Sequence, residues 1–392
     1  MTNPPSHPTC PTPHPTCPTP HSTCPTPHSG GPTPHSGGPT PHSGGPTPHS
    51  GGPTPHSAGP ASHPTGPTPY LATPPPYPTA PPPDPTGQPY HRQDRTTGRH
   101  RWWRAWVGTL LLAVAYFFAL LVLLAFSLGL GTALGAPELP DGGADLGPLG
   151  NTAMDLVSIA IALPLVLLAT LWPARRPVGT VTSVTGRLRI GWLGRCLLAG
   201  LLPILLLTVT AFLLPDDSGD SGTWVGWRPF LTALAVLAVL VPLQAAAEEY
   251  VFRGWLLQAV GAFVRSPWLA VIPQAVLFAA AHGWGTRWGF LGLLVNGLVA
   301  GVLTIRTGGL EAAIALHVLN NLLAFGASAA VVDGLSSDET AADAPWSLAL
   351  TAIVTDLLYA AIVLWFARRH KPQRLSAPSA PPAPGAHPAR TA

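Results

Sequence analysis

The sequence has 392 residues, of which 50 are proline and 41 are glycine, and only 9% are charged. Soluble globular domains carry roughly 25% charged residues, so this composition excludes an ordinary water-soluble enzyme. From Trp102 onward the chain is dominated by Leu, Ala and Val in runs that are long enough to cross a bilayer as helices. The four cysteines form no CxxC pair, so neither a zinc ribbon nor a disulfide framework is supported.

A low-complexity segment precedes the apolar part of the chain. Residues 8–70 repeat with a period of seven, and the repeat contains Pro, Thr, Gly and a regularly spaced His. Such a sequence cannot bury a core, so we expect a disordered chain with polyproline II character. Successive histidines turn by about 120° on that helix, which argues against a preformed metal ladder; a loose metal-binding or wall-binding tail stays open. We assign residues 1–100 to this disordered tail and its basic juxtamembrane end, and residues 372–392 to a disordered C-terminal tail.

A basic run from Arg92 to Arg104, with Trp102, Trp103 and Trp106, is typical of an anchor at the cytoplasmic membrane interface. Arginine-rich and acidic loops then alternate between apolar segments. By the positive-inside rule this alternation predicts eight spanning helices with both termini in the cytoplasm. The predicted fold is an all-α polytopic membrane protein whose transmembrane domain covers residues 101–371. The eight apolar segments are 106–130, 152–172, 196–214, 230–257, 267–285, 288–305, 309–332 and 346–367.

Two adjacent glutamates interrupt the fourth apolar segment. Ionisable groups at membrane depth cost several kcal/mol each, so they are retained mainly for function. Glu249 and Arg253 are four residues apart and can form an ion pair on one helix face, although a purely structural ion pair is an alternative reading. Glu248 points about 100° away and is left to face a cavity as a candidate general base.

Two further pairs of side chains with polar members recur at helical spacing. Phe278 and His282 share one helix face, and so do His317 and Asn321, whereas Asn320 is rotated away. A turn near Arg265 makes the fourth and fifth helices antiparallel and puts Glu248 and His282 at the same height. Each polar group alone could be hydrogen-bonding glue between helices. Together they predict a site that activates water and stabilises an oxyanion, with Phe278 in the pocket wall.

Other acidic residues in apolar segments have plainer explanations. Asp155 and Glu311 are each predicted to lie in the first turn of a helix, where a negative charge favours the helix dipole. Asp356 has no evident partner in the sequence. The glycines of the sixth segment, from Gly289 to Gly301, predict close helix packing.

These three motifs, in this order, resemble those of the CPBP intramembrane proteases, also called the CAAX protease and bacteriocin-processing, or Abi, family. The similar part is Glu248-Glu249-x-x-x-Arg253, Phe278-x-x-x-His282 and His317-x-x-x-Asn321, within about residues 230–330. The resemblance implies that Glu248 and His282 activate the attacking water, that His317 and Asn321 hold the oxyanion, and that Glu249 and Arg253 support them. Members are commonly labelled metalloproteases, which makes zinc a candidate cofactor with Glu248, His282 and His317 as candidate ligands; a mechanism without metal is equally open.

We therefore expect an intramembrane endopeptidase that cuts a membrane protein or lipidated peptide near the cytoplasmic face. The lipid bilayer is its expected environment, and no nucleic-acid partner is expected. Two alternatives remain at this stage: a non-catalytic scaffold or bacteriocin self-immunity protein that uses the same cavity, and a transporter that uses the glutamates as a proton relay.

Overall fold

The structure, a computed structural model, describes residues 87–139, 142–213, 222–337 and 339–378. The predicted repeat tail lies outside these ranges. The described residues form helices joined by turns and isolated β-bridges. The α-helices are α1 (Trp102–Leu134), α2 (Pro148–Ala160), α3 (Ala162–Leu171), α4 (Gly179–Thr182), α5 (Ile190–Leu213), α6 (Trp227–Glu249), α7 (Leu257–Gly261), α8 (Trp268–Ala281), α9 (Arg287–Thr307), α10 (Glu311–Ala329) and α11 (Trp346–His370).

Seven helical stretches of the described residues are long and apolar enough to cross a membrane. One of them is α2 with α3, and another, Trp227–Gly261, joins α6 to α7 through a π-helix at Tyr250–Leu256. The predicted segment 267–285 becomes α8, an apolar helix of 14 residues that ends before two glycines of positive φ, Gly283 and Gly285. The chain is thus an all-α, integral multi-pass membrane protein.

The glycines of α9 allow α8 to pack closely, as predicted. A Cβ added at Gly297 would lie 3.0 Å from the Ala275 backbone, and one at Gly301 would lie 2.7 Å from Gln274 Nε2. Gln274 Nε2 also donates to Gly297 O at 3.0 Å, so a buried hydrogen bond fixes the contact of the two helices. This packing holds α8, and with it Phe278 and His282, in a set position.

The two ends of the described chain are bound to each other. Ser376 N donates to Gln88 O at 2.9 Å, and Gln88 N donates to Ser376 Oγ at 3.0 Å. A 3₁₀ helix at Tyr90–Arg95 follows, in which Tyr90 is fully buried and donates from Oη to Val181 O. We call residues 87–95 with 371–376 the terminal clasp. It shortens both predicted tails, because chain as early as residue 87 and as late as residue 376 packs on the membrane domain.

Candidate active site

The two glutamates are the last residues of α6, directly before the π-helix. A π-helical turn contains an extra residue and occurs frequently at functional sites. Their surroundings differ: 11% of the Glu248 side chain is exposed but only 1% of that of Glu249. Glu248 is therefore within reach of a ligand, while Glu249 is sealed in the protein.

Glu249 lies at the centre of a buried charged cluster. Its Oε1 accepts from Arg253 Nη1 at 2.9 Å and is 2.8 Å from His317 Nδ1. The Arg253 guanidinium also lies 4.1 Å from the centroid of the Phe278 ring, within cation–π range. The ion pair expected from the sequence is present, and it additionally holds the ring of His317.

Glu248 faces His282 across a short gap. Glu248 Oε2 lies 3.9 Å from His282 Nε2, too far for a direct hydrogen bond. His282 Nδ1 is 2.9 Å from Phe278 O, a carbonyl that can only accept, so Nδ1 carries a proton. In the neutral ring Nε2 is then an acceptor directed at an acceptor carboxylate. The two groups can therefore each accept a hydrogen bond from the same small molecule, if that molecule has two donor hydrogens.

Gln244 joins the glutamate side of the site to α10, and the sequence reasoning missed it. Gln244 Nε2 donates to Glu248 Oε1, and Gln244 Oε1 accepts from Asn321 Nδ2 at 3.0 Å. The available signal was its position four residues before Glu248, on the same helix face. One buried carboxamide thus orients both the candidate base and the candidate oxyanion donor.

Phe278 forms the wall that separates the two histidines. Its ring centroid lies 4.6 Å from that of His282 and 5.8 Å from that of His317. Phe252, from the π-helix, packs against its other side at 5.3 Å. The fold therefore brings together all the side chains of the three motifs, from α6, the π-helix, α8 and α10.

The candidate zinc ligands do not gather around a common point. The described residues contain no group of three or more His, Cys, Asp or Glu side chains that could hold a metal ion. Glu248 Oε1 accepts a hydrogen bond from Gln244, and the Nδ1 atoms of His282 and His317 face Phe278 O and Glu249. Zinc stays a candidate cofactor that only the resemblance implies.

The structure corrects the explanations of the remaining acidic residues. Glu311 does begin α10, but it is held by a two-pronged ion pair with Arg189, with N–O distances of 2.6 and 2.7 Å. Asp155 lies two turns inside α2, beyond the reach of the helix N-terminus. Asp356 has two partners, Asn296 and Asn320, at 2.9 and 3.3 Å.

Comparison with known proteins agrees with this geometry. Residues 229–323 match the family model described as type II CAAX prenyl endopeptidase, Rce1-like, and this segment contains every side chain of the three motifs. The chain is also 27% identical over 292 residues to the uncharacterized protein YyaK of Bacillus subtilis (strain 168), covering 70% of this chain and 95% of YyaK. No solved structure matches. The match confirms the resemblance to the CAAX protease family, and residues 229–323 are the part of the chain that is similar to its Rce1-like members.

Proposed function

We propose that the chain is an intramembrane endopeptidase that hydrolyses a peptide bond with water activated between Glu248 and His282. The supporting observation is the 3.9 Å gap between Glu248 Oε2 and His282 Nε2. Polar atoms at such a distance are commonly bridged by a water molecule. Both groups accept hydrogen bonds, so a bridging water would donate one hydrogen bond to each of them. Its oxygen lone pairs would then be directed at a substrate carbonyl.

In the proposed reaction, Glu248 takes one proton as the water oxygen bonds to the carbonyl carbon. The resulting oxyanion accepts hydrogen bonds from Asn321 Nδ2, which has a second proton beside the one given to Gln244, and from His317 Nε2 in its cationic form. The C–N bond then breaks as the proton on Glu248 passes to the leaving nitrogen. The products are a new carboxyl terminus and a free amine.

The expected substrate is a membrane protein or lipidated peptide cut near the cytoplasmic face. The catalytic pair is only partly exposed, and the surrounding helices present apolar side chains outward, which favours a substrate that arrives through the lipid. The positive-inside pattern of the loops supports cytoplasmic termini and places Arg265, in the turn before α8, on that side.

The experiment compares cells that contain the wild type with cells that contain Glu248→Gln, and reads new carboxyl termini in the membrane proteome. We expect a set of cleaved membrane proteins that is absent with Glu248→Gln and with His282→Ala. Glu138→Gln, the same change at an exposed loop position, is the matched control and should cleave normally.

Two outcomes would contradict the proposal. Full cleavage by correctly inserted Glu248→Gln would remove Glu248 as the base. A cellular phenotype that survives both His282→Ala and His317→Ala, without any cleaved protein, would favour a scaffold. In the purified system we further expect cleavage to persist in a strong zinc chelator, because the proposed step activates water with Glu248 and His282 alone.

A further inference from the structure

A second polar site lies where α11 packs near α10, around Asp356. Asp356 of α11 is 2% exposed, and its two carboxylate oxygens accept from different helices. Asn296 Nδ2 of α9 donates to Oδ2 at 2.9 Å, and Asn320 Nδ2 of α10 donates to Oδ1 at 3.3 Å. One carboxylate therefore connects three spanning helices.

Burial of the Asp356 carboxylate in the membrane domain costs free energy. A buried charge is normally balanced by an opposite charge, yet no Arg, Lys or His of the described residues forms an ion pair with Asp356. A small cavity with room for about one water molecule adjoins it, lined in part by Asn320, Thr355 and Tyr359. Ionisable groups in spanning helices mark function by default, and none of the proposed chemistry uses Asp356.

The position of Asn320 connects the Asp356 carboxylate to the part of α10 that contributes to the candidate active site. Asn320 directly precedes Asn321 and follows His317 by three residues, so the same short stretch of α10 contacts α11 on one side and the candidate active site on the other. Tyr359 adds a second tie, because its Oη donates to Ala312 O at 2.8 Å. The two ties lie on either side of His317 along the helix.

The rotation of α10 matters for the site. Side-chain ends lie about 5–6 Å from a helix axis, so a rotation of roughly 20° moves them by about 2 Å. Displacements of about 1 Å can lower a reaction rate by roughly a hundredfold. His317 and Asn321 reach Glu249 and Gln244 at 2.8 and 3.0 Å, distances that such a rotation would lengthen beyond a hydrogen bond.

We propose that Asp356 is a positioning residue, which fixes the rotation of α10 through Asn320 so that His317 and Asn321 face the glutamates. The proposal rests on the proposed peptidase function only for its effect on rate, since the rotation itself can be measured without any substrate.

The chain offers a matched pair of variants. Asn320→Ala and Asn296→Ala each remove one hydrogen bond to the same carboxylate, but only Asn320 lies on the helix that carries His317 and Asn321. We expect Asn320→Ala to lower kcat roughly tenfold with KM little changed, and Asn296→Ala to stay within about twofold of wild type. Equal losses of kcat in the two variants, tracking equal losses of melting temperature, would reduce Asp356 to a structural tie and overturn the proposal.

An exchange of the two side chains tests the same contact. Asp356→Asn and Asn320→Asp should each lower kcat, the second because it places two carboxylates together. The double variant restores one carboxylate and one carboxamide at the contact, and the carboxamide oxygen now on α11 can still accept from Asn296, so most of the rate should be recovered. A double variant no better than the worse single variant would contradict the pairing.

Cross-linking of Gln244→Cys to Asn321→Cys by a short bifunctional thiol reagent follows the rotation directly, because the ends of the two native side chains contact each other at 3.0 Å. We expect the pair to cross-link readily, to cross-link at least several-fold more slowly when Asn320→Ala is added, and to be unaffected by Asn296→Ala. Equal cross-linking rates in all three backgrounds would overturn the proposal. A wild type that cleaves nothing, with the expected cross-linking differences, would contradict the peptidase function and leave the positioning role standing.

Discussion

The two longest apolar helical stretches of the described residues, α1 and Trp227–Gly261, differ in how much of their length is buried. In the most apolar window of α1 only 6% of the residues are buried, against 33% in the other helix. Among the 33 residues of α1 only Gly108, Ser127 and Gly131 are buried, and one of its contacts is the hydrogen bond from Trp255 Nε1 to Thr109 Oγ1 at 3.0 Å. Hydropathy therefore identifies a helix as long enough to span the membrane. Interruptions of the apolar run by Gln, Glu and Arg identify the helix that carries the candidate catalytic residues, Trp227–Gly261, which we call the working helix.

The largest effect on stability is expected from Arg253→Met in the working helix. The change leaves Glu249 as a buried charge without its arginine and should cost about 3–5 kcal/mol of unfolding free energy. The same substitution at the exposed Arg101, at the start of α1, should change stability by no more than about 0.5 kcal/mol. Chemical denaturation in detergent measures both, and equal losses would break the contrast between the two helices.

An effect on rate, with less effect on stability, is expected from Gln244→Leu. Loss of this carboxamide removes the hydrogen bonds that hold Glu248 and Asn321 in position. It should lower kcat by roughly tenfold or more. Gln258→Leu is the matched control, since Gln258 is also fully buried but bonds Arg176 and the Thr180 carbonyl rather than a side chain of the site. If the control variant lost as much activity while it remained fully folded, the loss in Gln244→Leu would not show a specific role of Gln244 in the site.

A still smaller effect is expected outside the working helix, from removal of residues 2–86. The proposed catalytic side chains all follow residue 240, and the anchor at Arg92–Arg104 remains to orient α1. Insertion and cleavage should therefore stay within about twofold of wild type. A longer deletion, to residue 96, removes Tyr90 and should destabilise the domain, since that side chain is fully buried. A short deletion that inserts normally but cleaves nothing would show that the repeat tail takes part in catalysis.

The smallest effect concerns His91 in the terminal clasp. Burial lowers the pKa of His91 from its usual 6.5, and its Nε2 contacts Arg265 O at 3.1 Å. Because the unfolded chain then takes up the proton first, the contribution of His91 is complete above about pH 6.5 and declines as the pH falls below it. Melting temperatures of wild type and His91→Gln should converge on acidification. Parallel curves over that range would contradict a buried neutral His91.

The sequence predicted the parts of the site that follow from local geometry. Counting residues on either side of the turn near Arg265 correctly placed Glu248 beside His282, because antiparallel helices of equal rise must bring such positions to one height. The pair Glu249–Arg253 followed from i,i+4 spacing on one helix.

Contacts between helices distant in sequence could not be predicted in this way. Arg189 and Glu311 are 122 residues apart, and Asn296 and Asp356 are 60 apart, so no periodicity relates them. Gln244 was missed for a different reason: its spacing to Glu248 was visible, but its second partner, Asn321, depends on how α10 docks on α6.

The terminal clasp has a consequence for how many times the chain crosses the bilayer. Gln88 and Ser376 are hydrogen-bonded, so both ends of the domain lie on the same side. A chain that returns to its starting side crosses an even number of times, and seven long helices cannot satisfy that parity. The eight crossings expected from the sequence would therefore need the 14-residue α8 as well, although at about 21 Å it is shorter than a hydrocarbon core of about 30 Å. In that arrangement the bilayer, or the loop in which Thr286 N donates to Ala342 O, would have to make up the difference in length next to His282.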